Sequence, residues 1–166
     1  MIVLSMMVVG AWLSGCARDR IGMVLGPVGP APVQISASNS ANGTLVVYSA
    51  YEVNADFNAR DPYRHEYSDY RVFSADGNLL QRVHNNSGTI LQRAQPVVLP
   101  AGTYRVTAQA NGYGLVTVPV VIRAGCDTIV HLEGGAIWPA QSGFNRTNAV
   151  RLPEGEIVGW KAAPAL

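Results

Sequence analysis

The stretch that decides the fold is residues 97–134, VVLPAGTYRVTAQANGYGLVTVPVVIRAGCDTIVHLEG. Apolar and polar residues alternate through Thr103–Ala110, and a period of two with one polar side predicts a half-buried strand. Asn111-Gly112 predicts a tight turn into a second strand over Leu115–Ile122. Pro119 has no N–H to donate, so it indicates that this strand lies at a sheet edge or contains a bulge.

The rest of the chain continues this pattern. Seventeen Gly and ten Pro argue against a helical bundle, because both residues break helix interiors. Further strands are predicted over Leu45–Tyr51, Tyr70–Phe73, Leu79–His84, Val97–Leu99, Thr128–Leu132, Ala149–Leu152 and Glu156–Lys161, with turns at Asp76–Asn78 and at Asn85–Gly88. About eight or nine short strands predict an all-β fold, an antiparallel Greek-key β-sandwich of the prealbumin-like or immunoglobulin-like kind. The sandwich would span residues 44–166 and end in a hairpin.

Leu99, Gly102 and Tyr104 have the spacing of a tyrosine corner in a Greek-key sandwich. We expect the glycine to permit a sharp backbone path, and the tyrosine hydroxyl to bind a backbone group a few residues upstream. With these residues, Val97–Gly134 resembles the carboxypeptidase-regulatory-like and PEGA-type domains. The resemblance implies a small sandwich that is typically non-catalytic and acts as a spacer, stabiliser or binding module.

The N-terminus predicts the compartment. Ile2–Leu13 is an apolar run that is shorter than the roughly 20 residues of a membrane-spanning helix and fits a signal peptide. It ends in Leu13-Ser14-Gly15-Cys16, which resembles the lipobox of bacterial lipoproteins, although no basic residue precedes the run. The resemblance implies cleavage before Cys16, a diacylglyceryl group on its thiol and a further acyl chain, such as palmitate, on its amino group. Ala17 follows where inner-membrane lipoproteins have Asp, which implies the outer membrane, with the domain facing the periplasm or the cell exterior.

The expected organisation is therefore a signal peptide over residues 1–15, a lipidated N-terminus and tether over 16–43, and the sandwich over 44–166. Pro-rich and Ser/Asn/Gly-rich composition favours an extended, flexible tether. Its apolar residues Ile21, Met23, Val24 and Leu25 fit either the membrane surface or the domain. The expected partners are the membrane, through the lipid anchor, and a protein or carbohydrate ligand.

The densest polar cluster is Asn54–Asp69. It contains metal-ligating side chains at Asp56, Asp61, His65, Glu66 and Asp69, but their spacing matches no EF-hand loop and no zinc motif. We therefore predict a solvated loop without a metal, and a metal-dependent envelope enzyme is the alternative. Aromatic rings beside Arg suit a sugar or peptide, so the predicted ligand contacts are Arg60, Tyr63, Arg64 and Tyr67.

The sequence offers little for catalysis. No Ser lies in G-x-S-x-G, and Cys126 and His131 fall on opposite faces of one strand. We predict no catalytic residue and no cofactor, a buried structural Cys126, and packing roles for His84 and His131. Twelve basic against eleven acidic residues give no nucleic-acid footprint. A further alternative is a subunit of an envelope assembly that pairs through a free sheet edge near Pro119.

Overall fold

The structure, a computed structural model, describes residues 23–30, 42–50, 67–85, 93–134 and 146–162. These residues form ten β-strands and no helix. The strands are β1 (Met23–Val24), β2 (Asn42–Tyr48), β3 (Tyr70–Ser74), β4 (Leu79–Val83), β5 (Val97–Pro100), β6 (Gly102–Ala110), β7 (Gly114–Ile122), β8 (Asp127–His131), β9 (Ala149–Arg151) and β10 (Ile157–Trp160). The prediction of an all-β protein is confirmed.

The strands form a five-stranded sheet of order β1-β7-β6-β3-β4, a three-stranded sheet of order β5-β2-β8, and the hairpin β9–β10. Apolar side chains of all three units join one buried cluster, which includes Leu45, Val72, Val118 and Val158. The strictly antiparallel arrangement we predicted is wrong in two places, because β2 pairs with β8 and β1 pairs with β7 in parallel. Both parallel pairs join strands far apart in sequence, and a parallel pair needs a long crossover.

The residues that favour turns lie where the strands end. The β6–β7 hairpin closes through Gly112, whose φ of 78° lies in the left-handed region that glycine tolerates. Along β6 the alternation is complete, with Tyr104, Val106, Ala108 and Ala110 buried and the residues between them outward-facing. The sequence pattern therefore sets the inner and outer sides of the five-stranded sheet.

Part of the expected tether belongs to the folded domain. Leu25 and Val28 are buried in the apolar cluster, and Val28 packs so closely on Gly159 that a Cβ there would stand 2.2 Å from it. Asn42 and Gly43 lie inside β2. The apolar side chains of residues 23–30 draw the segment onto the sheet despite its Pro- and Gly-rich composition, since burying each one stabilises the fold by about 1.5–3 kcal/mol.

The same segment covers the sheet edge near Pro119. The assembly alternative requires this edge to be free, and it is occupied. Leu25 N donates to Thr117 O (2.9 Å), Val28 N donates to Pro119 O (2.8 Å), and Val121 N donates to Val28 O (2.8 Å). Val24 lies opposite Thr117 and Val28 opposite Val120, so one extra residue is accommodated beside Pro119. The irregularity falls where Pro119 has no N–H to donate.

Candidate functional site

The structure describes only part of the predicted ligand site. Tyr67 and Asp69 are described, whereas Arg60, Tyr63 and Arg64 lie outside the described residues, as do the carboxylates and imidazole of residues 56–66. Cys16 also lies outside them. The described part of the site is the place where the 54–69 segment joins β3.

An aromatic cluster stands on the outer face of the three-stranded sheet. Tyr48 and His131 are cross-strand neighbours on β2 and β8. Their rings stack with centroids 4.6 Å apart and planes inclined by 4°. The Tyr67 and Tyr48 rings make a T-shaped contact, with centroids 5.4 Å apart and planes inclined by 77°. We call Tyr48, His131 and Tyr67 the Tyr–His cluster; offset and edge contacts of this kind favour a fixed mutual orientation.

Glu133 fixes the His131 ring. Its carboxylate oxygen Oε1 lies 2.6 Å from His131 Nδ1 and can only accept, so Nδ1 carries the hydrogen. The imidazole is buried, with a side-chain exposure of 7%. Packing on one side and a carboxylate on the other hold this side chain in one position, which agrees with the packing role predicted for it.

The buried side-chain amide of Asn85 links the end of β4 in the five-stranded sheet to the three-stranded sheet. Asn85, which the sequence placed in a turn, is 1% exposed. Its Nδ2 donates to Val47 O (2.8 Å) and to Ser49 Oγ (2.9 Å), and its Oδ1 accepts from Gln95 N (2.7 Å). Ser49 Oγ in turn donates to Ser68 O. The end of β4, the end of β2 and the approach to β5 are thereby joined at the base of the 54–69 segment.

A second imidazole–carboxylate pair lies on the surface nearby. His84 Nδ1 stands 2.8 Å from Asp69 Oδ1, with the two side chains 70% and 62% exposed. Asn85 N also donates to Asp69 Oδ1 (3.3 Å). The packing role predicted for His84 is therefore wrong, because its side chain points to water. Such an exposed pair contributes at most about 1 kcal/mol, so it positions the start of β3 weakly.

The Ser49 hydroxyl donates to the Ser68 carbonyl and accepts from the Asn85 amide, and neither partner is a base. Cys126 has a free, half-buried thiol rather than the fully buried one predicted, because it lies in the turn before β8. Among the described residues no group of three His, Cys, Asp or Glu side chains could hold a metal ion.

The tyrosine corner lies at the other end of the sheets. Tyr104 Oη donates to Pro100 O (2.8 Å), four residues upstream, and Leu99 is buried. Burial also raises the pKa of Tyr104 above its ordinary value of 10.0. Gly102 does not need a glycine conformation, however, since its φ lies outside the left-handed region and an added Cβ would meet the Tyr104 ring at 3.6 Å. The hydroxyl, and not the glycine, holds this corner.

In comparisons with known proteins, no family model, no curated protein and no solved structure matches this chain. Within the described ranges, no helix has the length and apolar character needed to cross a membrane.

Proposed function

We propose that this protein is a membrane-anchored bacterial envelope lipoprotein whose folded part is a non-catalytic recognition or structural module. The apolar run Ile2–Leu13, which ends in Leu13-Ser14-Gly15-Cys16, supports acylation of Cys16. Several acyl chains give stable anchoring where one is marginal. The absence of Asp after Cys16 favours the outer membrane.

The finer fold assignment that we propose is a Greek-key sandwich of the carboxypeptidase-regulatory-like or PEGA type. The corner at Tyr104 lies where the chain passes from β5 in the three-stranded sheet to β6 in the five-stranded sheet. A crossing between sheets at such a corner is typical of Greek-key sandwiches. The resemblance of Val97–Gly134 to these domains supports a module that binds or spaces.

The observation that carries the recognition role is the Tyr–His cluster. Tyr48 is held by the stacked His131 ring and by Tyr67, which in the sequence closely follows the segment that contains Arg60, Tyr63 and Arg64. Rigid aromatic rings beside Arg forks suit sugar rings and peptide groups, because the rings stack and the forks donate paired hydrogen bonds. We propose a carbohydrate or a peptide of the envelope as the ligand.

Crosslinking in intact cells tests the recognition role. We expect a partner that copurifies with the full-length protein and is lost in the double variant Arg60→Gln/Arg64→Gln. The matched control is Arg93→Gln/Arg123→Gln, which removes equal charge from exposed positions elsewhere. Equal recovery of every partner by both double variants would contradict the assignment of the ligand site.

The anchor is tested by fractionation. Wild-type protein is expected in the membrane fraction, and Cys16→Ser in the soluble fraction or uncleaved. Cys126→Ser is the matched control, since it removes the other thiol of the chain without touching the lipobox. Membrane association that survives Cys16→Ser with normal processing would contradict acylation at this residue.

A further inference from the structure

The outer face of the five-stranded sheet carries a cluster of arginines. Arg71 on β3 lies directly opposite Arg82 on β4, and Arg105 on β6 lies opposite Phe73 on β3. All three arginines are exposed. We call Arg71, Arg82 and Arg105 the Arg face.

Among the described residues, no ion pair neutralises this charge, and Asp69, just before β3, is paired with His84. The five strands β1, β7, β6, β3 and β4 contain no Asp or Glu. The ion pairs within the described ranges are His84–Asp69 and His131–Glu133, and neither involves these arginines. Like charges directly opposite each other on a sheet destabilise it. An external anion is the simplest complement to this arrangement.

Apolar side chains extend the same face to the edge of the sheet. Val24 on β1 is 68% exposed and lies opposite Thr117 on β7. Leu115, which shares that side of β7, is 57% exposed. A row from Arg82 through Arg71 and Thr107 to Val24 crosses five strands, about 19 Å, so cations and apolar groups share one face of the sheet.

The short segment between Cys16 and β1 limits how far this surface can lie from an anchored Cys16. Only residues 17–22 separate Cys16 from β1, which forms the apolar edge of the same sheet. Seven Cα–Cα steps span at most about 25 Å. Because residues 23–30 are built into the domain, an acylated Cys16 would keep this edge close to the bilayer.

We propose that the Arg face lies flat on the anionic phospholipid headgroups of the membrane that holds the Cys16 acyl chains. The guanidinium forks would bind lipid phosphates in paired hydrogen bonds, and Val24 and Leu115 would enter the headgroup region. This orientation rests on the proposed function for the anchor, whereas the affinity of the face for anionic lipid does not. The Tyr–His cluster, on the outer face of the other sheet, would then point away from the membrane.

Vesicle binding by the unlipidated chain tests the face without the anchor. The chain from residue 17 to 166 keeps every described residue and the whole buried cluster. We expect it to bind vesicles with 40% phosphatidylglycerol, to ignore pure phosphatidylcholine, and to dissociate in 0.5 M salt. Arg71→Gln/Arg82→Gln/Arg105→Gln should bind about 100-fold more weakly, since each cation near an anionic leaflet contributes about 1 kcal/mol.

Matched controls make the result decisive. Arg93→Gln/Arg123→Gln/Arg146→Gln removes the same charge from exposed positions outside these five strands and should bind like wild type. Equal binding by both triple variants would overturn the proposal, as would tighter binding to soluble heparin than to vesicles. If the cellular protein carries no acyl chain but the vesicle result holds, the anchor fails and the face stands. If it is acylated but the Arg-face variant binds like wild type, this inference alone fails.

Discussion

The outer faces of the two sheets obey the same alternation but are covered differently. Beyond the core of the five-stranded sheet, Arg71 and Arg105 extend into water among Thr and Gln side chains. Beyond the core of the three-stranded sheet, Tyr48 and His131 stack on each other, and His131 is only 6% exposed. A period of two therefore identifies the core side of a strand, while the chemistry of the other side decides whether it packs or remains open to a charged surface.

The largest expected effect on stability comes from removing the segment that covers the edge of the five-stranded sheet. A chain that starts at Asn42 keeps β2 whole but loses the buried Leu25 and Val28 and their backbone bonds to β7. We expect a loss of about 5 kcal/mol from the free energy of unfolding, from two buried side chains and an opened sheet edge. Urea melts against the chain that starts at Ala17 measure it. Equal stability would mean that residues 23–30 are a tether after all.

The next effect separates the two sides of β6. Tyr104→Ala should cost about 3–5 kcal/mol, because it leaves a cavity and removes the bond to Pro100 O. Tyr104→Phe, which removes only the hydroxyl, should cost about 1 kcal/mol. The neighbouring Arg105→Ala, on the outer side, should stay within about 0.5 kcal/mol of wild type. A neutral Tyr104→Ala in the same melts would place this residue on the wrong side of the strand.

Alkaline pH tests the inner side of β3. Burial raises the pKa of Tyr70 well above its ordinary value of 10.0, so the folded state keeps the proton that the unfolded state loses. Stability should therefore be constant below pH 10 and then fall by about 1.4 kcal/mol per pH unit for this group. In Tyr70→Phe, the part of the fall in unfolding free energy that Tyr70 causes should be missing between pH 10 and 11.5. An unchanged slope would mean that other groups control alkaline unfolding.

The smallest effects compare the two outer faces directly. Tyr48→Ala should cost about 1–2 kcal/mol, because it removes the stack on His131 and the edge contact with Tyr67. Arg71→Gln should stabilise the protein by a few tenths of a kcal/mol at low salt, since it relieves the repulsion from Arg82. High salt should abolish the gain. A destabilising Arg71→Gln would indicate that this side chain packs like Tyr48.

Local patterns predicted most of the strands but not how they are brought together. Alternation and turn residues located β3 to β10 to within one residue at each end, and β2 to within three. The packing of residues 23–30 was not visible, since Gly-Pro-Val-Gly-Pro reads as a linker until β7 supplies a partner. Asn85 was missed for a similar reason: Asn-Asn-Ser-Gly is typical of a turn, and its buried bonds join residues from distant parts of the chain.

The candidate site was only partly predictable. The 54–69 segment attracted attention through its rings and charges, and Tyr67 does meet another aromatic ring. Tyr48 and His131 were assigned to separate strands, and only their parallel register brings them into a stack. Likewise, Arg71 and Arg82 are eleven residues apart in the sequence, and the pairing of β3 with β4 places them side by side.

We propose that acyl chains on Cys16 hold this protein at a membrane, and the intact mass of the protein purified from membranes tests this anchor. We predict a chain that begins at Cys16 and carries a diacylglyceryl group and an amide-linked acyl chain, with Cys126 unmodified. Treatment with base should release the ester-linked chains and lower the mass accordingly. A chain that retains residues 1–15, or one that begins near Cys16 without any acyl mass, would contradict cleavage and acylation at Cys16.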